Sequence, residues 1–374
     1  MEKWKKVAIV GADGEAFLNS AHGQLSCVSC HGGIDEAASV EEAHQGIISN
    51  PSKDPEKYCA GCHADIVSKH VTSLHATQQG YFTFFSLRYQ GTPDGPYPTE
   101  FVEGFHEECG TCHGTCGQCH VSVPITARGG LVKAHRFYKT PDMTKNCTAC
   151  HGSRVGDEYL GNNTSFVPGV KPDVHWVPNF KTCDFCHKGS QLHGSGTQYE
   201  YKLQKKERPK CEDCHQRGNN QYHTVHWGDL SCSTCHSQLY RNCNGCHVDG
   251  PGITGDPYFT FKIGKNSNPE DRSYEWVTLR HIPITNDTYA NWGMNIASLP
   301  NYDIMPTWKY TMPHNMQKNT AQTAPDSSAT YPCAGSCHAN EALFLRPADI
   351  VPEEVNANEP VVVNDDDVPW QWGP

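Results

Sequence analysis

Long apolar runs are the feature that this sequence most clearly lacks. Hydrophobic residues make up only 37% of its 374 positions, and the mean hydropathy is −0.62. No apolar stretch approaches the roughly 18 residues of a membrane-spanning helix, so we predict no membrane span. A chain of this length would ordinarily build two or three domains around aliphatic cores. Some other source of apolar interior is therefore expected.

Positive charge is also scarce. The chain has 30 Lys and Arg against 41 Asp and Glu, a formal net charge of −11. A negative field disfavours nucleic acid and anionic membranes and favours cationic partners, so we predict no nucleic-acid partner. The start, "MEKWKKVAIVGADGE", is basic, but its apolar segment is too short for a normal export signal. No leader is evident in the chain.

Cysteine and histidine, in contrast, are abundant and ordered, with 20 cysteines and 22 histidines. All the cysteines fall into ten units in which a histidine directly follows the second cysteine. Nine units have the regular form Cys-x-x-Cys-His: CVSCH (27–31), CAGCH (59–63), CGTCH (109–113), CGQCH (116–120), CTACH (147–151), CDFCH (183–187), CEDCH (211–215), CSTCH (232–236) and CNGCH (243–247). The tenth, CAGSCH (333–338), has a third residue between its cysteines.

Disulfides and structural zinc are the two ordinary explanations for paired cysteines. Neither requires a histidine directly after the second cysteine, whereas the c-type haem attachment motif does. In that motif each cysteine S–H adds across a vinyl C=C of the haem to form a thioether, and the histidine becomes the proximal iron ligand. The extra residue of CAGSCH only lengthens the loop between the sulfurs. The sequence therefore predicts ten covalently bound haem c groups.

The attachment residues are the twenty cysteines of these units. They are Cys27, Cys30, Cys59, Cys62, Cys109, Cys112, Cys116, Cys119, Cys147, Cys150, Cys183, Cys186, Cys211, Cys214, Cys232, Cys235, Cys243, Cys246, Cys333 and Cys337. The predicted proximal iron ligands are His31, His63, His113, His120, His151, His187, His215, His236, His247 and His338.

Twelve further histidines are candidates for the second, distal ligand of about ten irons. They are His22, His44, His70, His75, His106, His135, His175, His193, His223, His226, His281 and His314. Methionine is the competing ligand, but the chain has only six. If "CHADIVSKHVTSLH" (62–75) is helical, His63 and His70 lie on the same face of the helix. One iron cannot sit between two ligands on the same face of one helix, so His70 should bind the iron of a neighbouring haem. His75 points about 140° away and should bind the iron of a third haem.

The fold class predicted from composition is mostly irregular coil, with short α-helices and a few short β-strands wrapped around a chain of haems in an elongated body. The 33 glycines and 25 prolines favour loops. Aromatic and β-branched runs predict short strands within 81–90, 258–263 and 274–284. We divide the chain into a nine-haem region (1–247), a haem-free segment (248–332) and a region with the tenth haem site and an acidic tail (333–374).

The ten motifs and their flanking histidines, spanning 22–338, resemble the multihaem c-type cytochromes of microbes that respire minerals. Some members of that family polymerise into filaments with a continuous haem chain, described as nanowires. The resemblance implies long-range electron transfer between mostly bis-histidine haems, with no enzymatic activity. It also implies an extracellular or cell-surface location, reached by export. Redox proteins or extracellular acceptors would be the partners.

Self-association into a homopolymer is the further expectation, with the segment 248–332 as a clasp on a neighbouring subunit. Head-to-tail contacts of this kind form filaments when rotation does not close a ring.

The close spacing of Cys109 and Cys116 keeps their haems within about 25 Å of each other, which suits electron hopping.

Two alternatives remain open. One is a soluble monomeric electron carrier in the periplasm or on the outer surface. The other is a multihaem oxidoreductase for nitrogen or sulfur compounds, with one haem open to substrate. "SLHA" (73–76) is similar to distal-ligand segments of the hydroxylamine-oxidising and nitrite-reducing cytochromes, although the Cys-x-x-Cys-Lys unit of some of those enzymes is absent.

Overall fold

The structure is a computed structural model and describes residues 9–110, 114–162, 167–243, 256, 258–294, 299–324 and 332–367. Its α-helices are mostly one or two turns long: Gly11–Leu18, Cys27–His31, Val40–Ala43, Pro55–Tyr58, Ala60–His70, Leu74–Thr77, Gln79–Gln90, Thr99–Gly104, Cys116–His120, Thr148–His151, Asp157–Leu160, Cys183–Cys186, Gly189–Leu192, Gln221–His226, Cys232–His236, Pro332–Cys337 and Val355–Asn358. Three π-helical turns are Phe105–Cys109, Met143–Cys147 and Gly152–Gly156. Within these ranges, no helix has the length and apolar character needed to cross a membrane.

Short 3-10 turns supply much of the rest: His22–Gln24, Pro51–Lys53, Ile125–Ala127, Lys202–Gln204, Cys211–Asp213, Ala290–Trp292, Tyr302–Ile304, Glu341–Leu343, Pro347–Asp349, Pro352–Glu354 and Asp365–Asp367. Together with four short strands and much coil, these elements confirm the predicted fold class of short helices and few strands. The chain divides into two compact units.

Local capping explains why the helices are short. The Ser26 hydroxyl accepts a hydrogen bond from the Ser29 amide at the start of Cys27–His31, and Gly32 ends that helix with a φ of 66°. Thr115 starts Cys116–His120 with a capping box in which Gln118 is the reciprocal partner. Side-chain caps of this kind satisfy orphan amides, and a left-handed glycine stops a helix at little cost. The 27–31 and 116–120 motifs thus each form a separate helical turn.

The first unit comprises Met1–Gly80, Phe105–Cys150 and Cys183–Lys202. Among its described residues, the buried hydrophobic side chains are few: Val67, Phe105, Val121 and Met143. A unit with so little buried aliphatic surface gains little from the ordinary hydrophobic term. The described residues of this unit therefore supply little apolar interior of their own.

The second unit comprises Tyr81–Gly104, His151–Thr182 and Leu203–Pro374 and contains an antiparallel sheet. Its strands are β1 (Arg241–Cys243), β2 (Tyr258–Lys265), β3 (Trp276–His281) and β4 (Trp308–Tyr310), in the order β1-β2-β3-β4. In the β2–β3 register Ile263 pairs with Thr278 and Phe261 with Arg280. The strands predicted within 258–263 and 274–284 are confirmed.

The C-terminal segment packs against this sheet. The Leu345 amide donates to the carbonyl of Ile263 at 2.8 Å, and the Val363 amide donates to the carbonyl of Leu345 at 2.9 Å. The side chains of Val361 and Val363 are fully buried. Apolar contacts with Ile263 and Phe344 therefore hold the described part of the acidic C-terminal region on its own unit.

The strand predicted within 81–90 is wrong, because this segment belongs to the helix Gln79–Gln90. Phe85 and Tyr89 lie one helical turn apart with ring centres 5.2 Å from each other, and Phe85 stacks on Phe101 at 3.7 Å. The aromatic run fits a strand by propensity, but burial of one helical face against Phe101 outweighs that weak preference.

The helix predicted across 62–75 is interrupted. Ala60–His70 contains a non-helical residue at His63, with φ −119° and ψ 34°. A new helix, Leu74–Thr77, starts after the Ser73 side chain caps the Ala76 amide. His63, His70 and His75 therefore do not follow the regular helical positions on which their predicted directions depended.

Candidate haem-binding sites

Each described motif is a single tight turn. The amide of the motif histidine donates to the carbonyl of the first cysteine, as in His63 to Cys59 at 2.9 Å and His215 to Cys211 at 2.8 Å. Residues three apart on such a turn lie on one side of it, so both thiols of a unit point the same way. This is the arrangement that two thioether bonds to one macrocycle need.

Six predicted attachment or proximal residues lie outside the side chains that the structure describes: Cys112, His113, Cys243, Cys246, His247 and Cys333.

Six of the predicted proximal histidines face a predicted distal histidine across a short gap. The pairs and the distances between their ring centres are His63 with His22 at 5.9 Å, His31 with His135 at 5.8 Å, His120 with His193 at 6.0 Å, His215 with His175 at 5.8 Å, His236 with His223 at 6.2 Å, and His338 with His226 at 6.3 Å. Each pair joins one residue of each predicted class, and no histidine is used twice.

These separations match the size of a metal ion held between two imidazoles. A metal–imidazole bond is about 2 Å long, and each ring centre lies about 1 Å behind its ligating nitrogen, so ring centres on opposite sides of one ion are about 6 Å apart. Directly stacked aromatic rings can approach more closely, as Phe85 and Phe101 do at 3.7 Å. The six histidine pairs therefore fit bis-histidine ligation of haem iron.

The pairing crosses from one motif to another. His22 lies five residues before Cys27, yet it faces His63 of the next motif, 59–63. His226 lies six residues before Cys232, yet it faces His338 near the C-terminus. A histidine that precedes a motif in sequence thus does not serve that motif here. The ligand pairs instead tie distant segments within a unit together.

Three proximal histidines share one positioning device. The ring Nδ1 of His31 donates to the carbonyl of Ile48 at 2.8 Å, while the amide of Ile48 donates to the carbonyl of His31 at 2.7 Å. His120 exchanges the same two bonds with Tyr138, and His236 exchanges them with Gln317. A carbonyl can only accept, so Nδ1 carries the proton and the Nε2 lone pair is left for a metal.

Burial tunes several distal candidates toward the neutral form. It lowers the pKa of His22, His135 and His193, and the facing histidine lowers each further: His63, His31 and His120, respectively. Water stabilises a charged imidazolium better than a protein interior does. A lowered pKa favours the neutral ring, which is the protonation state that binds a metal.

His175 is held by a carboxylate instead. Its Nδ1 donates to Asp173 Oδ1 at 2.8 Å, and this hydrogen bond raises the pKa of His175 although burial opposes it. Asp173 is buried, with its side chain 2% exposed. The other oxygen, Oδ2, accepts the Met316 amide at 2.8 Å.

Buried polar side chains also join neighbouring motifs in the first unit. Ser52 Oγ accepts the amide of Gly117, inside the 116–120 motif, at 3.0 Å and donates to Thr115 Oγ1 at 3.0 Å. A Cβ added at Gly117 would lie 2.7 Å from that Ser52 oxygen, so the glycine permits the close approach. Ser52 thereby connects the segment before the 59–63 motif to the turn of the 116–120 motif.

Asn146 makes the next connection. Its Nδ2 donates to the carbonyl oxygens of Gln118 at 2.6 Å and Ser122 at 2.8 Å. Since Asn146 directly precedes Cys147, it joins the 147–151 motif to the 116–120 motif.

Thiols of different motifs come into contact at these joints. Cys59 hydrogen-bonds Cys116, and Cys147 hydrogen-bonds Cys183. Burial raises the pKa of Cys119 to about 11, and the nearby thiols of Cys147 and Cys116 add to this effect. In the second unit, Cys211 and Cys232 form a further hydrogen-bonded pair. The predicted attachment points of these pairs of motifs therefore adjoin one another.

Large apolar side chains remain exposed around the motifs. Leu25 is 51% exposed two residues before Cys27, Phe185 is 42% exposed inside its motif, and Val225 is 64% exposed beside His226. Each of these side chains lies beside or within a predicted haem-attachment motif or beside a predicted ligand, where an attached porphyrin would cover it.

The remaining histidines have other surroundings. His44 is exposed at the end of Val40–Ala43, and His106 lies in the π-helix Phe105–Cys109. A ring nitrogen of His70 lies 3.1 Å from the Gly114 carbonyl, and one of His75 lies 3.4 Å from that of Leu192. The His314 amide donates to Glu158, and His187 contacts Gln191 at 3.0 Å. His151 ends the helix Thr148–His151.

His281 is buried with both ring nitrogens engaged by protein. Nδ1 donates to the Tyr258 carbonyl at 2.9 Å, and Nε2 lies 3.0 Å from Glu354 Oε2. Its surroundings in the sheet are those of a structural residue.

Reasoning from the sequence missed the residues that orient the ligands. Ile48, Tyr138 and Gln317 act through backbone groups, which every residue has, so no sequence signal marks them. Asp173 could have been found, because the spacing Asp-x-His in "PDVHW" places a carboxylate two residues before a histidine. Among the described residues, no group of three or more His, Cys, Asp or Glu is arranged to hold a metal ion by itself.

Comparisons with known proteins add one structural similarity. No protein-family model matches the chain, and no curated protein matches it. The crystal structure of octaheme cytochrome c from Shewanella oneidensis is similar at 18% identity and a TM-score of 0.33, over 55% of this chain and 59% of that one. The matched region thus spans less than two thirds of the octaheme protein. A TM-score this low does not establish a shared fold.

Proposed function

We propose that this protein is a multihaem c-type cytochrome that transfers electrons between redox partners. The observation that carries the proposal is the set of six rings from Cys-x-x-Cys-His or stretched motifs, each facing a second histidine at 5.8–6.3 Å. When bound, haem iron supplies one-electron chemistry by alternating between its ferric and ferrous states. The chain's own part is to attach, space and ligate the groups.

The pairing favours electron transfer over catalysis at these six positions. Two histidines fill both axial positions of an iron and leave none for a substrate. A catalytic multihaem protein needs an open position on at least one iron. The six described pairs thus support electron carriage, and the oxidoreductase alternative would have to use another of the ten units.

The joints between motifs support a relay rather than isolated centres. In the first unit, Cys59 contacts Cys116 and Cys147 contacts Cys183, while Asn146 ties the 147–151 motif to the 116–120 motif. Groups attached at adjoining thiols would lie next to each other. The resulting order runs 59–63, 116–120, 147–151 and 183–187.

The experiment is denaturing mass spectrometry of the exported protein combined with electron paramagnetic resonance of its oxidised form. We expect covalent haem and predominantly low-spin ferric signals. A polypeptide without covalent haem would end the proposal. A dominant high-spin signal that shifts with nitrite or hydroxylamine would favour the oxidoreductase alternative.

We further propose that the full complement is ten haems, including the motifs with residues outside the described part. A mass excess of ten haems supports this number, and nine would remove the stretched unit at 333–338. Export is part of the proposal because covalent haem attachment takes place outside the cytoplasm. An extracellular or periplasmic site would then follow, and fractionation of the producing cells distinguishes the two.

Polymerisation into a filament is also kept as a proposal. The segment 248–332, expected to clasp a neighbour, contributes β2, β3 and β4 to the sheet of its own unit, so a clasp would have to use other residues. The net charge of −11 opposes self-association at low salt. Sedimentation and electron microscopy at physiological salt are the tests. A single monomeric species at every concentration would leave a soluble electron carrier.

A further inference from the structure

Asp173 occupies an unusual position beside one of the six histidine pairs. Its Oδ1 accepts two hydrogen bonds from His175, one from the ring Nδ1 and one from the backbone amide, both at 2.8 Å. The Met316 amide donates to Oδ2 at 2.8 Å. The carboxylate is 2% exposed, so it is a built and desolvated part of the site rather than a surface charge.

The adjacent site in the second unit offers a direct contrast. The Cys211 and Cys232 thiols contact each other, so the 211–215 and 232–236 motifs are neighbours. His236 donates its Nδ1 proton to the neutral carbonyl of Gln317 at 3.1 Å. His175, which faces His215 of the other motif, donates to a carboxylate. One of two neighbouring sites therefore has a negatively charged partner behind its ligand.

We propose that Asp173 is a positioning residue that lowers the reduction potential of the haem held between His175 and His215 below that of its neighbour between His223 and His236. This inference rests on the proposed electron-transfer function. It assigns to this chain a built-in difference between two adjoining centres. The haem attached at Cys211 and Cys214 would be the harder of the two to reduce.

The physical reason is electron donation through the imidazole. A carboxylate that accepts a hydrogen bond from Nδ1–H increases the electron density at Nε2, which makes the imidazole a stronger iron ligand. A stronger ligand and a nearby negative charge both favour the more positive ferric state. Because Asp173 is buried, water and salt screen its charge poorly, so the effect is not lost in solution. A carbonyl dipole, as behind His236, exerts a weaker pull.

The test compares Asp173→Asn and Asp173→Ser with wild type. Both variants remove the charge, and serine retains a short neutral hydrogen-bonding group. The matched control is Asp349→Asn, which removes a carboxylate in the same unit that pairs with Lys262 at 3.2 Å. Each protein is measured by denaturing mass spectrometry, spectroelectrochemical titration and electron paramagnetic resonance.

We expect both Asp173 variants to retain the wild-type haem count. One redox component should become easier to reduce by about tenfold in its ratio of reduced to oxidised form, which is about 59 mV for a one-electron couple. One low-spin signal should move while the others keep their positions. Asp349→Asn should leave both readouts unchanged.

Unchanged potentials and signals at full haem count would overturn the role of Asp173 and leave the electron-transfer function standing. Loss of one haem in both variants would also overturn it, because Asp173 would then serve assembly rather than potential. Wild-type protein without covalent haem would instead refute the proposed function itself.

Discussion

The imidazole rings of His120 and His193 face each other with their centres 6.0 Å apart and their planes inclined by 29°. His120 closes the 116–120 motif, whereas His193 follows the 183–187 motif. The backbone carbonyl of Tyr138 orients the His120 ring by accepting a hydrogen bond from its Nδ1 at 2.6 Å. Two distant stretches of the first unit thus combine into one predicted iron site, and the consequences can be measured.

His193→Ala should open one iron without removing its haem. The proposed covalent attachment uses Cys116 and Cys119, so the denatured mass should keep its full haem complement. Loss of the second axial ligand should convert one low-spin ferric centre to a high-spin one, seen by electron paramagnetic resonance. Added imidazole should restore the low-spin signal.

Ser190→Ala is the matched control for that variant. Ser190 is exposed in the helix Gly189–Leu192, just before His193. We expect its spectrum to match wild type. A high-spin centre in Ser190→Ala, together with an unchanged His193→Ala, would contradict the pairing.

Asn146→Ala should weaken the joint between two motifs. The side chain is buried and donates to two carbonyls, so its removal loses both hydrogen bonds at a buried position. A hydrogen bond of this kind contributes about 0.5–1.5 kcal/mol, so the unfolding free energy should fall by about 1–3 kcal/mol. Chemical denaturation of protein with a verified haem count measures it.

The control for Asn146 is Asn162→Ala. Asn162 is exposed and bonds the Asp157 carboxylate at 2.8 Å. Its loss should cost no more than about 0.5 kcal/mol, as for most surface substitutions. An equal loss of unfolding free energy in the two variants would show that the contact of Asn146 with the 116–120 motif does not stabilise the protein more than a surface hydrogen bond does.

Glu158→Ala should be strongly destabilising. Glu158 is fully buried and forms an ion pair with Arg280, whose side chain is 5% exposed. Removing one partner leaves a buried charge without compensation, which typically costs about 3–5 kcal/mol.

A double-mutant cycle with Arg280→Met tests the coupling of that pair. The double variant should be more stable than the sum of the single effects predicts, because it no longer buries a lone charge. Strict additivity would mean that the two side chains do not depend on each other.

The buried contact between His281 and Glu354 should make stability depend on pH. Burial by itself opposes a charge on His281, but the hydrogen bond and negative charge of Glu354 raise its pKa above the ordinary value. A raised pKa means that the folded state binds the proton more tightly than the unfolded state does. The resulting stabilisation is complete below the unfolded-state pKa of about 6.5 and is lost as the pH rises through the folded-state value.

The measurement is the difference in unfolding free energy between wild type and His281→Gln across that pH window. We expect the difference to shrink with rising pH. Lys262→Met removes a charge that pairs with Asp349 at 3.2 Å. For this control variant the difference should stay nearly flat across the same window. A flat profile for His281→Gln as well would rule out the proposed linkage.

Sequence and structure agree best where a feature is local. The motif turns close within five residues, and capping by Ser26 and Thr115 follows from side chains next to them in the chain. The strand pattern of 258–263 was also readable, because alternating residues bury one face of β2. The strand prediction for 81–90 is wrong because its aromatic residues fit both the two-residue repeat of a strand and the 3.6-residue repeat of a helix. Only contact with Phe101, absent from the local sequence, decides for the helix.

The sequence by itself determined the order and spacing of the motifs from which haem attachment is proposed. Both thiols and the proximal histidine of a motif lie within one turn, so their identity and spacing are written in consecutive residues. The tertiary structure alone decided which distal histidine faces which motif, because those pairs join residues far apart in the chain. It also decided which carbonyls orient His31, His120 and His236. Backbone carbonyls are the same at every position, and only folding brings a particular one within hydrogen-bonding distance of a ring.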